Sequence, residues 1–242
     1  LAPMFYSPCG LFYNAGLFAE KGWTVPTTWD EMWALGDKAT AEDIALFTYP
    51  TTGYFDTFFP TLLYSAGGPE FFNNAMNYAE GIWDTPEAKA CFDVMAKLAG
   101  YTAKVTVAQA NDQDFTQNQQ LILDNKALFI PNGTWLVSEM ADAPRADGFQ
   151  WGMCALPGSG AGTSASYCWM EQAWIPAQAP NLDAAKQFVA FLYSDKAAGI
   201  FAKGGAAQPI TGITDSMEGD NKIFYSIYDN GASAVMGGFA AY

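Results

Sequence analysis

The sequence predicts an α/β protein built on a mixed or mostly parallel sheet. Short apolar, strand-like runs alternate with longer segments whose apolar residues recur at helical spacing. Capping residues stand at the starts of those longer segments and glycines at their ends. The chain has 242 residues, half of them hydrophobic, which suffices for the core of one large domain or two small ones.

The elements follow in chain order. Leu11-Phe12-Tyr13-Asn14 is strand-like. Thr28-Trp29-Asp30-Glu31 forms a capping box after Pro26, so a helix is expected from Trp29 to Lys38. Ile44 to Thr48 is a short strand. Phe55, Phe58, Phe59, Leu62, Leu63 and Ala66 then follow helical spacing, with a start between Asp56 and Phe59, Pro60 in the first turn and an end at Gly67-Gly68. Thr85 caps the next helix, Pro86 takes its first position and Gly100 stops it. A further helix is expected from Asp114 to Leu123. Ala127 to Ile130 is a strand, broken by Pro131-Asn132-Gly133-Thr134, and Trp135 opens a helix. Two strands flank a Gly/Ser loop over 158–166. Asn181 caps a helix with Ala185, Phe188, Val189 and Leu192 on one face, a short helix follows in "DKAAGIFAKGG", and 222–228 reads as one more.

Composition narrows the chemistry. The formal net charge is −14, with a single arginine, Arg145, which argues against nucleic acid and anionic membrane surfaces. Arg145 is expected to pair with Asp142 or Asp147. The chain has no histidine, which removes the commonest general base and metal ligand. Cys9, Cys91, Cys154 and Cys168 show no zinc spacing, so neither metal nor cofactor is expected. Cys91 reads as core; a Cys154–Cys168 disulfide is left open, since both flank the Gly/Ser loop. "PGSGAG" lacks the residues that complete a phosphate loop. No apolar run approaches the length of a membrane span.

Two functions remain in view. A glycoside hydrolase would need two facing carboxyl groups, and Asp56, Asp112, Asp114, Glu139, Asp142 and Glu171 show no spacing that pairs them. A binding site suits the sequence better. Ligands collect at the carboxyl ends of strands in α/β sheets, and aromatic residues fall there: Trp135 after the strand at 127–130, Tyr54 and Phe55 after that at 44–48, Trp169 and Trp174 around Glu171. Aromatic 16% of the chain supplies plates for the apolar faces of a sugar, while Asn132, Asp56 and Glu171 supply polar contacts. Trp23, Trp29, Trp33 and Trp83 lie on or beside helix faces and read as packing.

Three segments carry a resemblance. "GLFYNAGLFAEKGWTVPTTWDEMWALGDKA", "NKALFIPNGTWLVSEM" and "NLDAAKQFVAFLYSDKAAGIFAKGG" resemble, in order, elements of the family 1 extracellular solute-binding proteins of carbohydrate ABC transporters. "ALFTYPTTGYFD" and "NDQDFTQNQQ" look most like the N-acetylglucosamine and chitobiose-binding group. The resemblance implies a type II periplasmic-binding-protein-like fold: two α/β lobes, a neutral mono- or oligosaccharide in the cleft between them, and hinge closure on binding. It implies a sugar platform at Trp135 with Asn132 beside it, and cleft positions at Tyr54, Phe55, Asp56, Trp169, Glu171 and, in the late "GAAQPI" loop, Gln208. By the same resemblance residues 1–10 are a hinge crossing, 11–170 the C-terminal lobe, 174–205 helices of the N-terminal lobe, and 206–242 a return segment. The chain reads as a fragment that lacks most of the N-terminal lobe and would leave the packing face of the 181–203 helices exposed. The implied protein is a monomer, not an enzyme. It works with ABC permease subunits outside the cytoplasm and carries a lipid anchor at an N-terminus missing from this chain.

Overall fold

The computed structural model describes residues 2–48, 54–105, 116–158 and 164–240. Its organising element is β1 (Ala2–Asn14), which runs antiparallel to three other strands. One edge of β1 pairs with β3 (Ala127–Gly133), in the register Cys9↔Gly133 to Phe12↔Ile130. Its other edge pairs first with β5 (Ala165–Ala173), from Ala2↔Ala173 to Cys9↔Tyr167, and then with β4 (Trp151–Cys154), from Leu11↔Cys154 to Asn14↔Trp151. β4 and β5 therefore follow one another along the same edge. The parallel pairs are peripheral: β2 (Ala45–Phe47) beside β3, and β6 (Ser233–Val235) beside β5.

Side chains alternate across a strand, so neighbouring residues feed opposite layers. Leu11 and Phe129 enter one core with Met32, Leu46, Phe58, Leu62 and Leu98. Phe12 and Ile130 enter a second core with Ile122, Leu136, Trp151 and Phe224. The first layer is built by α1 (Ala15–Lys21), α2 (Trp29–Thr40), α3 (Phe55–Met76) and α4 (Pro86–Tyr101). The second comes from α5 (Thr116–Leu123) and α6 (Leu136–Glu139), with α9 (Gly219–Tyr225) arriving from late in the chain.

Local signals set most of the helix ends. The Thr28 side chain accepts from Glu31 N–H, and Glu31 reaches back to the Thr28 N–H. Thr85 caps α4 through Ala88 N–H. The expected stop at Gly67-Gly68 appears as a break: Gly68, at φ 76° and ψ −170°, ends the first helical part of α3 and Pro69 starts a second. Such a backbone is open almost only to glycine.

Two expectations need correction, and one alternative left open is closed. The four cysteines are free thiols, so Cys154 and Cys168 form no disulfide; each is committed to pairing with β1, opposite Leu11 and Pro8. Arg145 makes no ion pair with Asp142 or Asp147 among the described residues. Its guanidinium donates to the carbonyls of Met140 and Ala141 and lies over Phe149. The strand expected at 127–130 continues through Gly133, because β1 supplies hydrogen-bond partners as far as that residue.

Beyond Trp169, β5 becomes exposed and leads to α7 (Leu182–Leu192) and α8 (Asp195–Lys203). α7 buries none of its residues, and Phe188 and Phe191 are 62% and 51% exposed. α8 is anchored by Ala198 and Ala202, which pack with Ala207, Ile213, Met217 and Tyr225 and against Tyr6. In α9 the consecutive Phe224 and Tyr225 enter the second core and this third cluster respectively.

Candidate ligand cleft

Trp135 stands just past the end of β3. Its position depends on Gly133: a Cβ there would lie 2.2 Å from two carbons of the indole, so only a bare Cα lets the ring fold back over the strand. The indole N–H donates to the Tyr54 hydroxyl at 3.1 Å, and the two rings lie 6.2 Å apart at 30°. Trp169, on β5 opposite Ser7, meets Trp135 edge-on at 6.4 Å and is 41% exposed. Residues far apart in sequence thus form one aromatic corner, held by hydrogen bonding and by edge-to-face and tilted ring contacts.

The other expected positions have separate settings in the fold. Asp56 is exposed in the first turn of α3. Burial raises the Tyr167 phenol above its ordinary value, and the nearby Asp56 carboxylate adds to that rise. Glu171 is exposed on β5, opposite Phe5. Phe55 stacks on Phe59, one turn along α3, at 5.1 Å. Asn132 is buried; its side-chain carbonyl accepts from Gly133 N–H, while its amide nitrogen has no hydrogen-bond partner among the described residues. Gln208 is wholly buried and donates to the Leu192 carbonyl at the end of α7. Of the other carboxylates, Glu139 accepts from Gln119 at 2.7 Å, and Asp112 and Asp114 lie outside the described residues.

Trp135 forms part of the wall of a cavity of about 360 Å³, a size typical of small-molecule sites. Phe5 and Ser7 contribute from β1, and Gly205, Asn221 and Tyr225 from the far side. Every described lining residue is uncharged, although the chain carries a formal charge of −14. Among the described residues no carboxylate lines the space, and the lining holds aromatic plates and neutral hydrogen-bonding groups. Across it, the Tyr225 hydroxyl lies 3.3 Å from Thr134 Oγ1 and 3.4 Å from the Gly205 carbonyl. Phe5, Ser7, Asn221 and Tyr225 escaped the sequence reading. They have no local motif, and only the pairing of β1 and the packing of α9 bring them to the cleft.

This architecture recurs in known proteins. The diacetylchitobiose binding protein NgcE of Streptomyces coelicolor is 30% identical over 223 residues, which is 87% of this chain and 46% of that protein. The chain therefore spans just under half the length of that relative. A chitin oligosaccharide binding protein of known structure superposes with a TM-score of 0.74 at 17% identity, over 96% of this chain and 59% of its own. The bacterial solute receptor AcbH, described as exclusively preferring β-D-galactopyranose, superposes at 0.73 with 21% identity, over 97% and 60%. At such identities the superpositions establish the fold, that of type II periplasmic binding proteins. Matching the sequence pattern of bacterial extracellular solute-binding proteins over residues 2–223, the chain belongs to that family.

Proposed function

We propose that this chain forms the ligand-binding part of the substrate-binding component of a sugar ABC importer, taking a neutral mono- or oligosaccharide for delivery to the permease. The carrying observation is the uncharged cavity walled by Trp135, whose indole is oriented by Tyr54 and flanked by Trp169. A pyranose offers apolar C–H faces to such plates and a hydroxylated rim to neutral partners. Asp56 and Glu171 act at the exposed rim. Asn132 and Gln208, both buried, act on the site through the backbone they hold, and Phe55 through its stack on Phe59.

The strand layout supports the lobe assignment we adopt. Residues 1–10 cross a hinge, 11–170 form one lobe, 174–205 belong to the opposite lobe, and 206–242 return. β1 and β5 pair as a two-stranded ribbon whose far end carries α7 and α8, as expected of crossing strands. The apolar face of α7 then packs within the second lobe. Similarity to a diacetylchitobiose binder favours N-acetylglucosamine or diacetylchitobiose as the ligand. Calorimetric titration of the protein with these two sugars, maltose and galactose tests the reading. Saturable binding without turnover of at least one sugar is expected; no heat with any of them would overturn it.

A further inference from the structure

Most polar side chains lining the cavity are already committed within the protein. Ser138 donates to the Trp135 carbonyl at 2.8 Å, and Thr134 and Tyr225 are engaged with each other, Tyr225 also with the Gly205 carbonyl. The Trp135 N–H is spent on Tyr54. Two side chains remain, Ser7 on β1 and Asn221 on α9. Both are half-buried, and neither makes a side-chain hydrogen bond to the described residues. A polar group that is partly withdrawn from water and unpartnered gains most from a ligand that satisfies it.

The backbone around Asn221 is shaped to hold it there. Gly205 has φ 82°, a conformation that side-chain-bearing residues rarely adopt, and a Cβ on it would lie 2.5 Å from Asn221 Nδ2. The carboxamide therefore rests against a bare backbone, and Tyr225, one turn further along α9, ties that helix to the same glycine through its carbonyl. A carboxamide both donates and accepts, and so does a hydroxyl. Together they match adjacent hydroxyls, or a hydroxyl and an acetamido group, on a sugar ring edge.

We infer that Ser7 and Asn221 are the specificity-determining polar contacts of this site, reading the ring edge of the sugar that Trp135 supports, with Gly205 as a positioning residue. This rests on the sugar-binding reading. The test is calorimetry on the protein with its tightest-binding panel sugar and with deoxy analogues of it, for wild type, Ser7→Ala, Asn221→Ala and Gly205→Ala. Each side-chain truncation is expected to weaken binding about tenfold, the scale of one lost hydrogen bond. Asn221→Ala should also lose the wild type's discrimination against one deoxy analogue, while its melting temperature stays unchanged. Gly205→Ala should weaken binding by displacing Asn221, and Asn221→Ala should then add little to it. Wild-type affinity and discrimination in both Ser7→Ala and Asn221→Ala, with Trp135→Ala impaired, would overturn the inference and leave the sugar-binding reading intact. Failure of the wild type to bind any sugar would overturn both.

Discussion

Trp135 was singled out from the sequence by its place after a polar turn, and the structure supplies its setting. A large indole directly after the Pro131-Asn132-Gly133-Thr134 turn drew notice, and in the fold it stands beside Tyr54 and Trp169. The reason for Gly133 became visible only in three dimensions, where its missing Cβ makes room for the ring. Ser7 and Asn221 carry no such mark, because a lone serine or asparagine is usually solvated surface. The four cysteines are free thiols. Burial pushes the Cys91 thiol up to about 12 from an ordinary 9.0. The neutral form is thus favoured in the folded state, and its contribution is complete below pH 9.0 and lost as pH rises toward 12. Thermal melts across that range should show a fall in stability that is smaller in Cys91→Ala than in the wild type. Equal falls would contradict this account of Cys91. In denaturant, a thiol reagent should titrate all four cysteines without prior reduction.

Helices were read better than strands, and the difference has a physical cause. A helix satisfies its backbone locally, so caps and apolar spacing declare it: the Thr28 box, the Thr85 cap and the Gly68 break all lie in sequences that announce them. Removing the Thr28 hydroxyl by Thr28→Ala should cost about 1 kcal/mol in denaturant unfolding. Gly68→Ala should cost about 1–3 kcal/mol, since its backbone conformation suits only glycine. No change in either would show that these ends are fixed by packing instead. β1 shows the opposite case. Only its last four residues looked like a strand, because Pro3, Pro8 and Gly10 interrupt the pattern. The strand exists because β3, β4 and β5 take up its two edges, long-range pairing that no local window contains. The same pairing carries β3 through Gly133 and delivers Trp135 to the cleft.

For the molecule as a whole, alternation of strands and helices gave the α/β class, while the central antiparallel strand and the collinear β4 and β5 came from tertiary contacts. The stripe on α7 was legible as a packing face, yet none of its residues is buried among the described residues. Phe188→Ser should therefore change the unfolding free energy of the 242-residue chain by less than about 0.5 kcal/mol, as for an ordinary surface position. A loss of several kcal/mol would show that α7 is packed and would count against its place in a second lobe. The proposed lobe assignment carries a prediction at this scale: the β1–β5 ribbon joins the sheet to the α7–α8 segment, and a ligand touching both sides would favour a closed arrangement. Small-angle scattering of the protein with and without its sugar should show contraction on binding, and an unchanged radius of gyration would argue against closure.

The central claim is that Trp135 is the platform of a neutral sugar site, and the most direct measurement is calorimetric titration of the wild type and Trp135→Ala with the tightest-binding sugar of the panel. The account predicts that the variant stays folded and binds more weakly by about 1–3 kcal/mol, the scale of a lost aromatic contact surface. Equal affinity in the two proteins would contradict it.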